Sequence, residues 1–274
     1  MRRTVSTPEI AYELGGTPGA PRVLLVMGFG MRGNVWRPQI EGLGAELELA
    51  WFDNRGIGES AADATWFRMG DLAADALRVA DALGWDDFHL VGVSLGGMIA
   101  QEVAFTAPNR LRSLTLVATH PGGRLGILPT AQGLYHWLSA VFGPAKARVT
   151  HLTRLLYPAS FLAEVDATVL RQRMQVQVGT PPPRATSVRQ IRAILGHDTR
   201  ARLPTLRTPT LVVKPTGDLL IRPLHSDVLA AGIPGARKLE LPGAGHGLTF
   251  HAAAEVNRAI LEHVRAHDRA PALP

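Results

Sequence analysis

The 274-residue chain is 46% hydrophobic and 19% charged, carries a formal net charge of +6 and has no cysteine. That length and apolar content suit a large globular core with an insertion and argue against a disordered or fibrous chain, while the missing cysteines exclude disulfides and thiolate chemistry. No apolar stretch follows Met1-Arg2-Arg3 and no run is long enough to cross a membrane, so a cytoplasmic protein is expected. The arginines are scattered and not gathered in a stripe with aromatics, which argues against a nucleic-acid partner.

Glu9–Leu14 reads as an antiparallel edge strand. Short apolar runs then predict strands at Arg22–Met27, Leu47–Phe52, Phe88–Val93, Ser113–Ala118, Thr210–Lys214 and Arg237–Leu241. Amphipathic spacing predicts helices at Asn34–Leu43, Gly70–Leu83, Leu95–Ala107, Pro223–Ala231 and Ala252–His267. Strands alternating with helices build a mostly parallel sheet covered on both faces. The alternation lapses between Gly122 and Leu203, where the spacing is helical and Pro181-Pro182-Pro183 makes a break. The expected division is an α/β core of residues 1–121 and 204–274 with a helical cap of residues 122–203. Leucines and aromatics of the cap, among them Tyr135, Trp137, Phe142, Tyr157 and Phe161, predict an apolar wall over a substrate. Cap arginines such as Arg171, Arg173, Arg189 and Arg192 fit either a solvated helix face or the reception of a carboxylate.

The pentapeptide Gly92-Val93-Ser94-Leu95-Gly96 lies between the third predicted parallel strand and a helix. G-x-S-x-G alone is a short pattern in a chain with 28 glycines; the flanking strand and helix give it meaning. A turn that tight strains its apex residue and needs small residues two positions to either side. It exposes the Ser94 hydroxyl and sets the Leu95 amide at a helix N-terminus, where it can stabilise an anion. A serine nucleophile needs a base, and a histidine base needs an orienting acid. His246, in Gly243-Ala244-Gly245-His246-Gly247, follows the last predicted strand. Asp218, in Thr216-Gly217-Asp218, follows the strand before it. Singly these would be a turn histidine and a capping aspartate.

Serine, acid and histidine in this order, each on a loop after a strand, resemble the α/β-hydrolase superfamily, in its capped serine-esterase and enol-lactonase-like branch. Asp53-Asn54-Arg55-Gly56-Ile57-Gly58-Glu59-Ser60 resembles the D-x-R-G-x-G-x-S loop of that family, where it is architectural. The resemblance implies a second oxyanion donor, the backbone amide of Phe29, in a turn where the usual histidine is replaced by Met27. Ile194–Arg200 is similar to the segment that leads from the cap back to the core in the same branch. The implied function is hydrolysis of carboxylic esters with apolar small-to-medium acyl groups through an acyl-enzyme. Ser94 would be the nucleophile, His246 the general base and acid, and Asp218 the orienting acid, with no cofactor or metal. Enol-lactone or carbon–carbon bond hydrolysis would use the same three residues.

Two rivals come from other classes. Gly28-Phe29-Gly30-Met31-Arg32-Gly33 is a literal G-x-G-x-x-G after a strand, with Asp53 at the end of the next strand, the pattern of an NAD-dependent dehydrogenase. That reading gives Ser94, Asp218 and His246 no joint role. A non-catalytic receptor of the same fold would be expected to lack a triad member. Metal chemistry lacks a motif: there is no H-E-x-x-H, and His246 with His251 does not share a helical face.

Overall fold

The computed structural model describes residues 1–62, 65–123, 128–178 and 181–268. Eight strands form one sheet: β1 (Arg2–Arg3), β2 (Ala11–Gly16), β3 (Arg22–Val26), β4 (Glu48–Phe52), β5 (Phe88–Val93), β6 (Leu111–Val117), β7 (Thr210–Pro215) and β8 (Arg237–Leu241). Their order is β1-β2-β4-β3-β5-β6-β7-β8, antiparallel for the first two pairings and parallel from β4 to β8. The expected edge strand at residues 9–14 is β2, and it is not the edge, because Arg2 and Arg3 add β1 outside it.

Alternation along the strands feeds two cores. Leu24, Val26, Phe52 and Leu90 face α2 (Met69–Ala82), α3 (Leu95–Thr106) and α9 (Leu224–Gly232). Val23, Leu25, Leu49 and Val91 face α1 (Arg37–Leu43) and α11 (Ala253–His267). The central strands are buried on both faces, as a sheet with helices on either side requires. The helix expected at residues 34–43 starts as a 3-10 turn, Gly33–Trp36, and becomes α-helical only at Arg37. The helix expected at residues 252–267 is preceded by a separate short helix, α10 (Leu248–His251), with Ala252 between them.

Between β6 and β7 the chain forms a helical insertion of α4 (Ala131–Phe142), α5 (Ala145–Leu156), α6 (Ala159–Glu164), α7 (Ala167–Val178) and α8 (Arg184–Leu195). Residues 124–127 and 179–180 of the expected cap lie outside the described residues. The insertion is pinched at its root by an antiparallel bridge between Gly122 and Asp198 and by the bond from Thr199 N to Pro121 O, 2.8 Å. It rests on the loops beyond the C-terminal ends of the strands: Gly30 N donates to Gln190 Oε1 (3.0 Å), Thr130 N to Leu219 O (3.1 Å) and Gly247 N to Leu156 O (2.7 Å). Leu156, Tyr157 and Met174 form a small core of their own beneath it, packed against Phe250. The apolar wall is narrower than expected, since Leu134, Tyr135, Leu138 and Phe142 of α4 face solvent. No helix among the described residues is long and apolar enough to cross a membrane.

Candidate active site

β5 ends at Val93, α3 begins at Leu95, and Ser94 alone makes the turn, with φ 56° and ψ −121°. Positive φ is rare outside glycine and is held only where the surroundings over-determine it. They do so here. Ser94 N donates to Val117 O (2.9 Å), and Ser94 O accepts from Gly97 N (2.9 Å) and from the hydroxyl of Thr119 (2.7 Å). The flanking glycines are sterically required: a Cβ on Gly92 would lie 2.2 Å from Gly96 O, and one on Gly96 would lie 2.0 Å from Val26 O.

The Gly28–Gly33 loop passes beside the elbow, where a Cβ on Gly28 would lie 3.2 Å from Ser94 Cβ. Asn54 Nδ2 holds Met27 O at 3.0 Å, and Asp53 accepts from Gly33 N at 2.7 Å and from Glu59 N at 3.0 Å. The Asp53–Ser60 loop therefore braces the turn from which the expected histidine is missing. The same bonds answer the dinucleotide pattern: Asp53 is wholly buried and turned onto the amides of Gly33 and Glu59, closed off from a ribose. The amides of Phe29 and Leu95 have no hydrogen-bond partner among the described residues.

β7 and β8 deliver the other two predicted residues. His246 Nδ1 lies 2.7 Å from Asp218 Oδ2, and both side chains are buried. A carboxylate only accepts, so Nδ1 donates, and in the neutral ring the lone pair is then on Nε2. Asp218 Oδ1 accepts from Leu220 N (2.8 Å) and Ile221 N (2.9 Å), which fixes the carboxylate. The two loops are tied to each other by Gly217 N to Ala244 O (2.8 Å) and Gly243 N to Thr216 Oγ1 (2.8 Å). Ser94, Asp218 and His246 all leave the same edge of the sheet. The Ser94 hydroxyl itself is not hydrogen-bonded among the described residues, a looseness common before substrate arrives.

Sequence reading missed Thr119 and Gln101. Gln101, wholly buried on α3, donates to Gly97 O and His120 O (3.1 Å each) and accepts from Thr199 Oγ1 (2.6 Å), linking the elbow helix to the root of the insertion. Only the positive φ of Ala118 (46°), which turns Thr119 back onto Ser94, could have marked this bracing, and a backbone angle is invisible in composition. Behind it His120 is packed with His197 and His225; burial, then the two neighbouring imidazoles, pushes its pKa down to about 3.

Residues 21–252 match the alpha/beta hydrolase fold family. The chain belongs to that family. It is 34% identical over 241 residues to RutD of Azorhizobium caulinodans, a candidate carbamate hydrolase, covering 88% of this chain and 89% of that one. A thermophilic esterase from Thermogutta terrifontis, solved with malate bound, superposes with a TM-score of 0.80 at 27% identity, covering 98% of this chain and 100% of the other. The enol-lactonase from Burkholderia xenovorans superposes at 0.82 with 24% identity, over 96% of this chain and 100% of that one, a likeness of fold alone.

Proposed function

We propose that the chain is a serine hydrolase that cleaves carboxylic esters of apolar, small-to-medium acyl groups through an acyl-enzyme. The observation that carries this reading is the 2.7 Å His246–Asp218 pair on the same sheet edge as a serine held at positive φ on a helix N-terminus. Ser94 Oγ attacks the acyl carbon as His246 Nε2 takes its proton. The oxyanion that forms is held by the Leu95 and Phe29 amides, each such donor being worth about 100- to 1,000-fold in rate. Asp218 keeps the imidazole in the tautomer that can accept, and stabilises its cation. His246 then protonates the departing alcohol, and water attacks the acyl-enzyme by the same route in reverse. We divide the chain into a core of residues 1–121 and 204–274 and a cap of residues 122–203, a division supported by the Gly122–Asp198 bridge. A cytoplasmic location belongs to the same proposal and is checked by cell fractionation.

Hydrolysis of 4-nitrophenyl esters of increasing acyl length tests the reading. Turnover is expected to peak at a short or medium chain and to vanish in folded Ser94→Ala; turnover that survives the substitution overturns it. A second reading, hydrolysis of a carbamate by the same three residues, is favoured by the 34%-identical relative. It predicts that an O-aryl carbamate is turned over faster than the matching ester. Enol-lactone and carbon–carbon substrates would use the same residues and would leave the ester panel unhydrolysed.

A further inference from the structure

Of the four cap arginines singled out in the sequence, Arg171 and Arg192 are exposed and Arg189 is half-buried. Arg173, on α7, is 5% exposed. Its guanidinium is lodged between the Gly33–Trp36 turn and α10, the elements that follow the Gly28–Gly33 and His246 loops. Nη1 donates to Val35 O at 2.9 Å, two residues past the Gly28–Gly33 loop. The cation sits 4.9 Å from the ring centroid of Phe250, four residues past His246. Tyr157, whose ring packs against Gly247, gives its hydroxyl proton to Gln177 Oε1 at 2.7 Å, and its oxygen lies beside the guanidinium and helps to stabilise it.

What remains of Arg173 is telling. Nε and Nη2 are buried and have no hydrogen-bond partner, and no carboxylate among the described residues lies within salt-bridge distance of it. These two nitrogens form one edge of the guanidinium, the edge that grips both oxygens of a carboxylate. Among the described residues that edge is used in this way at Arg55 and at Arg200. Arg55 holds Asp75 through Nε (2.6 Å) and Nη2 (2.7 Å), and Arg200 holds Asp198 through Nε (2.9 Å) and Nη2 (2.7 Å). A buried cation compensated by one carbonyl, one aromatic face and a neighbouring tyrosine hydroxyl, with no counter-charge among the described residues, is expensive to keep. An anion supplied from outside removes that expense. Burial also lowers the pKa of Arg173, the direction expected of a cation short of counter-charge.

We propose that Arg173 receives a carboxylate carried by the substrate, so that the esters cleaved are those of dicarboxylic acids with one acid group left free. The reaction part of this rests on the ester-hydrolase reading; the anion site does not. The probes are mono-4-nitrophenyl esters of the acids from glutaric to suberic, each paired with a neutral isostere in which a methyl ketone replaces the free carboxylate. The wild type is expected to favour the best anionic ester over its isostere by about 10- to 100-fold in kcat/KM, the range of a charge-assisted bidentate contact. Arg173→Gln is expected to bring that ratio close to one, and Arg173→Lys to restore only part of it, because an ammonium keeps the charge and loses the fork. A ratio near one in the wild type, or a ratio unmoved in Arg173→Gln, overturns the proposal while leaving the ester reading intact. Should Arg173→Gln fail to fold, free adipate must inhibit hydrolysis of the neutral esters by the wild type competitively; no inhibition overturns the proposal. Should the wild type hydrolyse no ester at all, the ester reading falls, and calorimetric titration with adipate decides the anion site. Binding weakened at least tenfold in Arg173→Gln sustains it, and absent or equal binding ends it.

Discussion

The molecule contains two groupings of serine, histidine and aspartate at opposite ends of the parallel strands, with only β5 common to both. At the C-terminal edge stand Ser94, His246 and Asp218. At the other, His89 Nδ1 lies 2.7 Å from the Ser113 hydroxyl and its Nε2 lies 3.4 Å from Asp268 Oδ1. By residue names and distances the second grouping is the more complete, since its serine and histidine are hydrogen-bonded. Ser113, however, sits within β6, opposite His89 in the strand register, in ordinary extended backbone with no helix N-terminus beside it. Ser113 and His89 are sealed from solvent, and Asp268 shares its charge with Arg112. Burial first, only partly opposed by Asp268, pushes the His89 pKa down to about 4. Ser94, by contrast, is held at positive φ, with two unengaged amides nearby and an aspartate fixed by two backbone donors. A triad is recognised by the backbone that presents it, and side-chain identity comes second.

The largest expected difference is in turnover. Ser94→Ala should lower ester hydrolysis by at least about 1,000-fold, whereas Ser113→Ala should leave it within a few-fold; steady-state assay of both purified variants checks this. Asp218→Asn should lower kcat by up to about 10,000-fold by releasing the wrong tautomer of His246. Asn keeps an acceptor for the Leu220 and Ile221 amides, so its melting temperature should change little. Asp268→Asn should reverse the pattern, lowering the melting temperature and sparing kcat.

Smaller effects separate the two edges by stability. Gly96→Ala drives a methyl group into Val26 O and should destabilise the fold by about 2–4 kcal/mol in denaturant titration. At the other edge the readout is pH. His89 titrates near 4 when folded and near its ordinary value when unfolded. Between those values the unfolded chain holds a proton that the folded chain lacks, so stability falls as pH falls, by roughly 1 kcal/mol per pH unit from this group. Buried His120 and His263 act in the same direction. His89→Gln should flatten the acid limb of melting temperature against pH; an unchanged limb would mean that His89 is already protonated in the fold.

Much of this was legible in the order of residues. Phe88–Val93 and Arg237–Leu241 were bounded correctly because each is a short run closed by turn residues. Ser94, Asp218 and His246 were legible as candidates because each follows a strand that periodicity reveals, and the structure sets all three beyond the same ends of those strands. What stayed hidden depends on contacts across long stretches of chain. β6 begins at Leu111, two residues earlier than its apolar run suggests, because β5 supplies a partner for Leu111. The two arginine-spanning residues of β1 become a strand only because β2 offers an open edge. Arg173 has nothing in its local sequence to set it apart from Arg171, since only packing of α7 onto Val35 and Phe250 buries one and leaves the other in water.

The most direct measurement is to inactivate the protein with a fluorophosphonate, digest it and locate the adduct by mass spectrometry. The account predicts one phosphonyl group per chain, on the Ser94 peptide, appearing in step with loss of esterase activity and blocked by substrate. An adduct on Ser113, or full loss of activity with Ser94 unmodified, would contradict it.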